Sequence, residues 1–139
     1  MKMAKMVVGL ASGSEETLLV ASTVIGGAVA LDQRVDLYLL LGGARAFRRD
    51  VATSESPTYD HPELRAEMEA GIAKHKIPLP MAQLRNLKAQ GDLHIHACAT
   101  AGKIWGAEQL SDFSDLVDDI VGVGEYVIAC AEADAVQTL

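Results

Sequence analysis

Short apolar runs alternate with helical segments along this chain, and this alternation is the strongest constraint on its fold. The runs predict strands at 2–11, 34–41, 92–97, 119–123 and 135–139. Because right-handed crossovers place helices on the faces of a parallel sheet, the order predicts an α/β fold. We expect a flavodoxin-like, three-layer domain with a five-stranded, mainly parallel sheet, and a length of 139 residues fits one such domain over 1–139.

Capping and proline signals predict where the intervening helices begin. Ser12 and Glu15 have the spacing of a capping box, which predicts a helix over the uncharged run 17–31. Pro62 and Pro80 suit the first position of two further helices, ending near Lys76 and at Gly91. The first of these has an apolar face at four-residue spacing: Leu64, Met68 and Ile72. Other expectations are helices at 44–49, 99–105 and 125–132, a helical turn at 111–117 and an irregular loop at 50–59.

Charge and hydropathy exclude two classes of partner. The net charge is −7 and no basic block is longer than Arg48–Arg49, so we expect no nucleic acid. The run 17–31 is shorter than the roughly 18–20 residues that a membrane span needs, so we expect no membrane.

A helix as apolar as the one predicted over 17–31 needs cover on several sides, which predicts a homo-oligomer. With two cysteines and no signal peptide, a cytoplasmic protein with reduced thiols is expected.

Cys98 stands where the third predicted strand meets a predicted helix. A helix N-terminus lowers the pKa of a thiol, and the N–H groups of Ala99, Thr100 and Ala101 could stabilise a thiolate or a persulfide there. The alternative is a buried thiol that acts as a small apolar side chain. Cys130 lies inside a predicted helix, without free N–H groups, and a packing role is favoured for it.

His94 and His96 precede Cys98 on the same face of the predicted strand. At about 3.3 Å per residue, His94 and Cys98 lie roughly 13 Å apart, too far to share one zinc ion. We therefore expect no metal, although a metal enzyme using His96 and Cys98 is a third alternative. His96 could assist Cys98 as a charge partner or proton donor, or be a hydrogen-bonded structural histidine. Ser12 and Gly13 belong to the same sheet edge and are further candidates to assist Cys98. Their glycine-containing turn matches no nucleotide motif, so no cofactor is expected.

The carboxyl-terminal half resembles a known family in the order of its motifs. Ile77–Pro78 and a helix are followed by HIHACATAGKIWG, then by LVDDIVGVGEYV and a terminal strand. This order is similar to the DsrE/DsrF family of small sulfur-trafficking proteins, particularly its DsrE-like peroxiredoxin-family branch. The resemblance implies a flavodoxin-like subunit of a trimer or hexamer, with Cys98 carrying sulfur as a persulfide. It also implies TusA-like sulfur carriers or rhodaneses as partners, in tRNA thiolation or dissimilatory sulfur oxidation.

The chain departs from some members of that family, which have a second cysteine close to the first. Here the neighbouring positions are His94, Ala97, Ala99 and Thr100, so a local two-cysteine relay is not available. Two functions follow as hypotheses. In the first, Cys98 binds sulfane sulfur and passes it to a partner cysteine, as a sulfurtransferase or as a carrier. In the alternative, the protein is a non-catalytic oligomeric subunit of a sulfur-trafficking complex, with an inert Cys98.

Overall fold

The structure is a computed structural model that describes residues 3–54 and 57–139. The strands are β1 (Lys5–Leu10), β2 (Arg34–Leu39), β3 (Leu93–Cys98), β4 (Asp119–Val121) and β5 (Ala135–Thr138). The helices are α1 (Glu15–Ala30), α2 (Leu41–Ala46), α3 (Arg49–Ala52), α4 (Arg65–His75), α5 (Pro80–Gln90), α6 (Ala99–Ile104) and α7 (Val123–Glu132), with 3-10 turns at Pro62–Leu64 and Leu110–Asp112. The strands form one parallel sheet in the order β4-β3-β2-β1-β5. The predicted five-stranded flavodoxin-like α/β fold is confirmed.

The strand order explains how the helices divide between the two faces of the sheet. The chain moves in one direction across the sheet from β1 to β4, and then returns past β1 to form β5. Because crossovers between parallel strands are right-handed, a reversal of direction moves the connecting helix to the opposite face. Residues of α1, α2, α5 and α6 accordingly join one core cluster, while α7 packs against a separate cluster on the other face.

The first face of the sheet carries the main core. On this face the strands contribute fully buried aliphatic side chains, and α1 and α5 cover them with aliphatic side chains of their own. The sheet side chains are Val8, Leu10, Val35, Leu37, Leu39 and Ile95, and the helix side chains include Leu18, Ile25 and Leu84. Phe47 and Phe113 are also fully buried in this cluster. Burial of each such side chain contributes about 1.5–3 kcal/mol, so this face supplies most of the apolar stabilisation.

The second face is only partly covered by α7. Under the helix lie the buried side chains of Val7, Tyr38 and Val121. Strand register places a row of polar residues beside them on this face: Arg34, Asp36, His94, His96 and Asp119. A sheet face without a complete apolar cover can hold polar groups that remain in contact with water, which explains this composition.

The predicted capping box at the start of α1 is wrong. The N-cap is Ser14, whose hydroxyl accepts a hydrogen bond from the Thr17 N–H at 3.2 Å. Ser12 instead accepts a hydrogen bond from the backbone N–H of Ser14 at 3.2 Å. The physical reason is that the connection after β1 is held against α2: the N–H of Gly42 donates to the Ala11 carbonyl at 2.8 Å. The helix therefore begins two residues later than the spacing predicted.

Three further element boundaries differ from the sequence prediction. α2 starts at Leu41 rather than at residue 44, because Gly43 packs directly against β1; a Cβ there would lie 2.1 Å from the Leu10 carbonyl oxygen. The stretch 50–59, predicted as an irregular loop, contains most of α3, and its residues 55 and 56 lie outside the described residues. The turn predicted at 111–117 is the shorter 3-10 turn Leu110–Asp112.

α4 forms where the spacing predicted it, but it lies away from the core. All of its residues are half-buried or exposed, and Leu64 just before it is 49% exposed. In the part of the chain that the structure describes, no helix combines the length and apolar character needed to cross a membrane.

Candidate functional site

Cys98 is the last residue of β3 and the N-cap residue of α6. Its register partner on the neighbouring strand is Val121, the last residue of β4. After β3 the chain passes to the first face of the sheet, and after β4 it passes to the second. Divergence of two adjacent connections opens a crevice at the carboxyl ends of the strands, which is where ligands bind in open α/β sheets. Cys98 therefore lies at a topological switch point of the sheet.

The first turn of α6 is formed by Ala99, Thr100 and Ala101. Thr100 is exposed, Ala99 is half-buried and Ala101 is buried. First-turn N–H groups have no acceptor within their own helix, so this is the location that the sequence predicted for an anion-binding backbone. α6 has only six residues, which limits its dipole. The binding of a thiolate or persulfide by these groups stays a prediction.

Both cysteines of the chain are free and half-buried. Cys130 lies on α7 and packs against the second-face cluster formed by Val7, Tyr38 and Val121. The hydroxyl of Tyr126 is close to it: burial raises the pKa of Tyr126, and its hydrogen bond with Cys130 raises it further. This location is compatible with the packing role favoured for Cys130.

His96 is held by two carboxylates on the neighbouring strands. Its Nε2 lies 2.8 Å from Oδ1 of Asp36 on β2, and its Nδ1 lies 2.5 Å from Oδ1 of Asp119 on β4. Burial lowers the pKa of His96, but the hydrogen bonds to Asp36 and Asp119 outweigh it, and the pKa is raised overall. Both ring nitrogens can donate only in the imidazolium form, so this environment favours a charged His96.

Asp36 completes a charged group around His96. Its carboxylate also accepts hydrogen bonds from the Arg34 guanidinium, with Nε to Oδ2 at 2.9 Å. Burial raises the pKa of Asp36, but the hydrogen bonds from His96 and Arg34 are stronger and hold that pKa well below its usual range. Tyr38 stacks on the His96 ring with a centroid distance of 4.7 Å. The hydrogen bonds of His96 thus go to Asp36 and Asp119, and none joins it to Cys98. The assistance to Cys98 that the sequence suggested is a matter for a substitution experiment.

His94 has a different partner from His96. Its Nε2 lies 2.6 Å from Oδ1 of Asp92. Within residues 3–54 and 57–139, no three His, Cys, Asp or Glu side chains are grouped as ligands of one metal ion.

A large cavity opens at the carboxyl ends of β1 and β2, away from Cys98. Its volume is about 1180 Å³, and Ser12, Gly13, Arg45 and Trp105 are among its lining residues, whereas Cys98 is not. Since β2 separates β1 from β3, the ends of β1 and β3 lie about 10 Å apart across the strands. The structure therefore does not bring Ser12 and Gly13 together with Cys98, although all three lie at the predicted edge.

Sequence reasoning missed Asp36, Arg45 and Trp105. Asp36 is a lone acidic residue inside the apolar strand RVDLYL, and a buried carboxylate of this kind requires a charged partner. The strand pattern thus indicated that Asp36 has a charged partner, but that partner, His96, is 60 residues away along the chain. Trp105 is the single tryptophan of the chain, and nothing local marks it as part of a cavity.

Comparisons with known proteins reveal solved structures with a similar fold. No family model matches the sequence, and no curated protein matches it at a significant level. The structure is similar to that of MTH1491, a protein of unknown function from Methanobacterium thermoautotrophicum, with a TM-score of 0.65, 18% identity, and coverage of 98% of this chain and 99% of that chain. It is also similar to the ychN protein from E. coli, with a TM-score of 0.60, 20% identity, and coverage of 99% of this chain and 100% of that chain.

Likeness at such low identity concerns the fold and not the chemistry. Both similarities extend over nearly the full length of all three chains. Membership of the DsrE/DsrF family, which the sequence motifs imply, stays a prediction. The comparisons thus show that this chain has the same α/β fold as ychN and MTH1491 from end to end.

Proposed function

We propose that this protein binds sulfane sulfur as a persulfide on Cys98 and passes it to a cysteine of a partner protein. The supporting observation is the position of Cys98, a free and half-buried thiol at the carboxyl end of β3, where the connections of β3 and β4 diverge. The motif resemblance to the DsrE/DsrF family supports the same residue, Cys98, as the carrier of the sulfur. TusA-like carriers and rhodanese-type proteins are the partners proposed on that basis.

The transfer is a thiol exchange in two steps. The Cys98 thiolate attacks the outer sulfur of a donor persulfide, the donor S–S bond breaks, and the donor thiolate leaves. Cys98 then carries the sulfur until an acceptor thiolate attacks the outer sulfur and Cys98 leaves as a thiolate. The numbers of atoms and electrons are conserved in each step, so no further oxidant or reductant is needed.

The surroundings of Cys98 are compatible with approach by a partner cysteine. Gly122 directly follows Val121, and a Cβ at that position would meet no described atom within 4 Å. The first turn of α6 places the N–H groups of Ala99, Thr100 and Ala101 next to the cysteine. We propose these groups as the anion site for the thiolate and for the persulfide.

A homo-oligomer, a trimer or a hexamer, and a cytoplasmic location are part of this proposal. Three apolar side chains on α7 support the oligomer, since Val123, Val127 and Ile128 are 55%, 60% and 59% exposed. A reactive thiol that must stay reduced supports the cytoplasm.

Intact-mass analysis after treatment with polysulfide tests the proposal. The parent protein and Cys130→Ser, the matched control, should gain sulfur that is released by dithiothreitol. Cys98→Ser should gain none. Sulfur uptake that persists in Cys98→Ser, or that fails in the parent protein, would overturn the assignment.

A non-catalytic subunit with an inert Cys98 is the second candidate. It is favoured by one observation: the large cavity is not lined by Cys98, which packs against the main core. Alkylation of native protein by iodoacetamide separates the two functions. Rapid labelling of Cys98 below pH 8 supports the carrier, whereas labelling only after unfolding in urea supports the inert subunit.

A further inference from the structure

The cavity of about 1180 Å³ lies between α4 and the carboxyl ends of β1 and β2. Its floor includes Ser12 and Gly13 from the connection after β1, and Arg65 and Ile72 from α4 contribute to another wall. α4 is not packed into the core, so the cavity separates this helix from the body of the domain. A space of this size, bounded by both polar and apolar groups, is typical of small-molecule sites.

Arg45 is a half-buried cation of this cavity without an anionic partner. Its guanidinium lies over the Trp105 ring, 5.9 Å from the centroid, and makes no hydrogen bond or ion pair with residues 3–54 or 57–139. Trp105 itself is fixed, because its Nε1 donates to the Leu41 carbonyl at 2.7 Å and its own carbonyl accepts from Arg48 at 2.9 Å. The N–H groups of Arg45 are therefore available to an anionic ligand group.

The neighbouring charged groups in the cavity already have hydrogen-bond partners. Arg48 binds Asp50 with Nε to Oδ1 at 2.7 Å, and Arg65 binds Glu69 with Nε to Oε1 at 2.9 Å. Asp60 accepts a hydrogen bond from the Ser14 hydroxyl at 2.7 Å. These contacts leave one lining carboxylate, that of Glu15, without a hydrogen bond or an ion pair among the described residues.

Glu15 is the first residue of α1 and is half-buried. Burial raises the pKa of its carboxyl group, and the negative charges of Glu16 and Glu69 raise it further, while the positive charge of Arg65 lowers it in part; the pKa is raised overall. A cationic ligand group at this position would act on the carboxylate in the same direction as Arg65. The connection that leads into Glu15 lies against α2, the helix that carries Arg45, since a Cβ on Gly13 would be 2.9 Å from the Cβ of Ala46.

Apolar side chains from several elements also line the cavity, and together we call them its apolar wall. They include Leu18, Leu41, Ile72, Leu79 and Met81. Among the described residues, four acidic and three basic side chains line the cavity, so this charge does not suit a polyphosphate. The ligand that complements one free cation, one free carboxylate and an apolar wall is a small zwitterion with an apolar substituent.

We propose that this cavity binds an α-amino acid with an apolar side chain. The ligand carboxylate binds the guanidinium of Arg45, the ligand ammonium binds the carboxylate of Glu15, and the side chain contacts the apolar wall. This site is separate from Cys98, and its occupancy does not depend on sulfur transfer.

The single tryptophan of the chain gives a direct measurement, because Trp105 lines the cavity. The probes are L-leucine, L-methionine and L-phenylalanine, titrated into the full chain up to about 10 mM while the Trp105 fluorescence is recorded. At least one should give a saturable change that equilibrium dialysis confirms as binding. N-acetyl-L-leucine lacks the ammonium group and L-leucinamide lacks the carboxylate, so each should bind about 10-fold or more weakly than L-leucine.

Substitutions assign the two ligand charges to residues. Glu15→Gln and Arg45→Gln should each weaken binding about 10-fold to 100-fold, while Glu67→Gln and Arg49→Gln, matched exposed controls outside the cavity, should not change it. Glu15→Gln should also remove the preference for L-leucine over N-acetyl-L-leucine. Cys98→Ser should bind like the parent protein, which separates this proposal from the function proposed for Cys98.

Three results would overturn the proposal. The first is that none of the three amino acids binds by dialysis. The second is that N-acetyl-L-leucine and L-leucinamide bind the parent protein as tightly as L-leucine, a result that needs no variant to fold. The third is that folded Glu15→Gln and Arg45→Gln both bind as the parent protein does.

Discussion

His96 and Asp36 are joined across two neighbouring strands by a hydrogen bond of 2.8 Å between Nε2 and Oδ1. The register partner of Asp36 is His94, so His96 reaches diagonally, two residues back along β2. On its other side His96 binds Asp119 of β4. One imidazolium thus links three strands on the face of the sheet that α7 leaves partly uncovered.

The stability contributed by this group should depend on pH in a defined direction. The pKa of His96 is raised in the folded state, so its contribution is complete below the unfolded value of about 6.5 and is lost as the pH rises through the folded pKa. The pKa of Asp36 is lowered, so its contribution is present above about 4 and is lost as the pH falls through the folded pKa. The combined contribution should therefore be greatest between about pH 4 and 6.5.

Urea unfolding at pH 5.5 and pH 8.5 measures this effect. The parent protein should lose more stability than His96→Gln between the two pH values, and the variant should be about 1–3 kcal/mol less stable at pH 5.5. His75→Gln, at the exposed end of α4, is the control and should follow the parent protein. Equal losses in the parent protein and His96→Gln would contradict the role assigned to this pair.

The same variant tests whether His96 acts on Cys98. Because Asp36 and Asp119 bind both ring nitrogens, we expect His96→Gln to change the rate of persulfide formation on Cys98 by no more than about twofold. The measurement is the rate of sulfur uptake by intact mass at pH 5.5, where the fold of the variant is first verified by circular dichroism. A decrease of about 10-fold or more in a folded variant would instead establish His96 as an assisting residue.

The start of α1 offers a comparison between two serines. Ser14→Ala removes the N-cap hydrogen bond to Thr17 and the bond to Asp60, so it should reduce the free energy of unfolding by about 1–2 kcal/mol. Ser12→Ala removes only the contacts to Ser14 and should cost about 0.5 kcal/mol. Urea denaturation midpoints measure both. A larger loss in Ser12→Ala than in Ser14→Ala would identify Ser12 as the cap.

Two glycines should respond to alanine with opposite signs. In Gly43→Ala the new Cβ would lie 2.1 Å from the Leu10 carbonyl oxygen, a backbone atom that cannot move alone, so we expect a loss of about 1–3 kcal/mol. Gly27 lies on the exposed side of α1, and a Cβ there meets no described atom within 4 Å. Gly27→Ala should therefore stabilise the protein by about 0.5–1 kcal/mol. Thermal unfolding of both variants checks the two signs, and a shift in the same direction for both would contradict this packing.

The local pattern of the sequence determined the strands, most of the helices and the position of Cys98. Apolar runs bounded by glycine and proline act through neighbouring residues, and so they specify β3 and α6 without knowledge of the rest of the chain. The junction of β3 and α6, where Cys98 lies, is specified by the local sequence for the same reason. The start of α1 is not specified locally, because it depends on contacts between Gly13 and α2.

Only the tertiary structure decided which side chains meet. The pair Asp36 and His96 depends on β2 lying beside β3, and the cavity with Glu15, Arg45 and Trp105 depends on how α1, α2 and α6 pack at one edge of the sheet. The strand order also leaves part of one sheet face uncovered, through the reversal between β4 and β5. Contacts of this kind join residues tens of positions apart, and no periodicity in the sequence encodes them. The sequence by itself therefore determined the elements and one thiol, whereas long-range packing produced the charged group and the cavity.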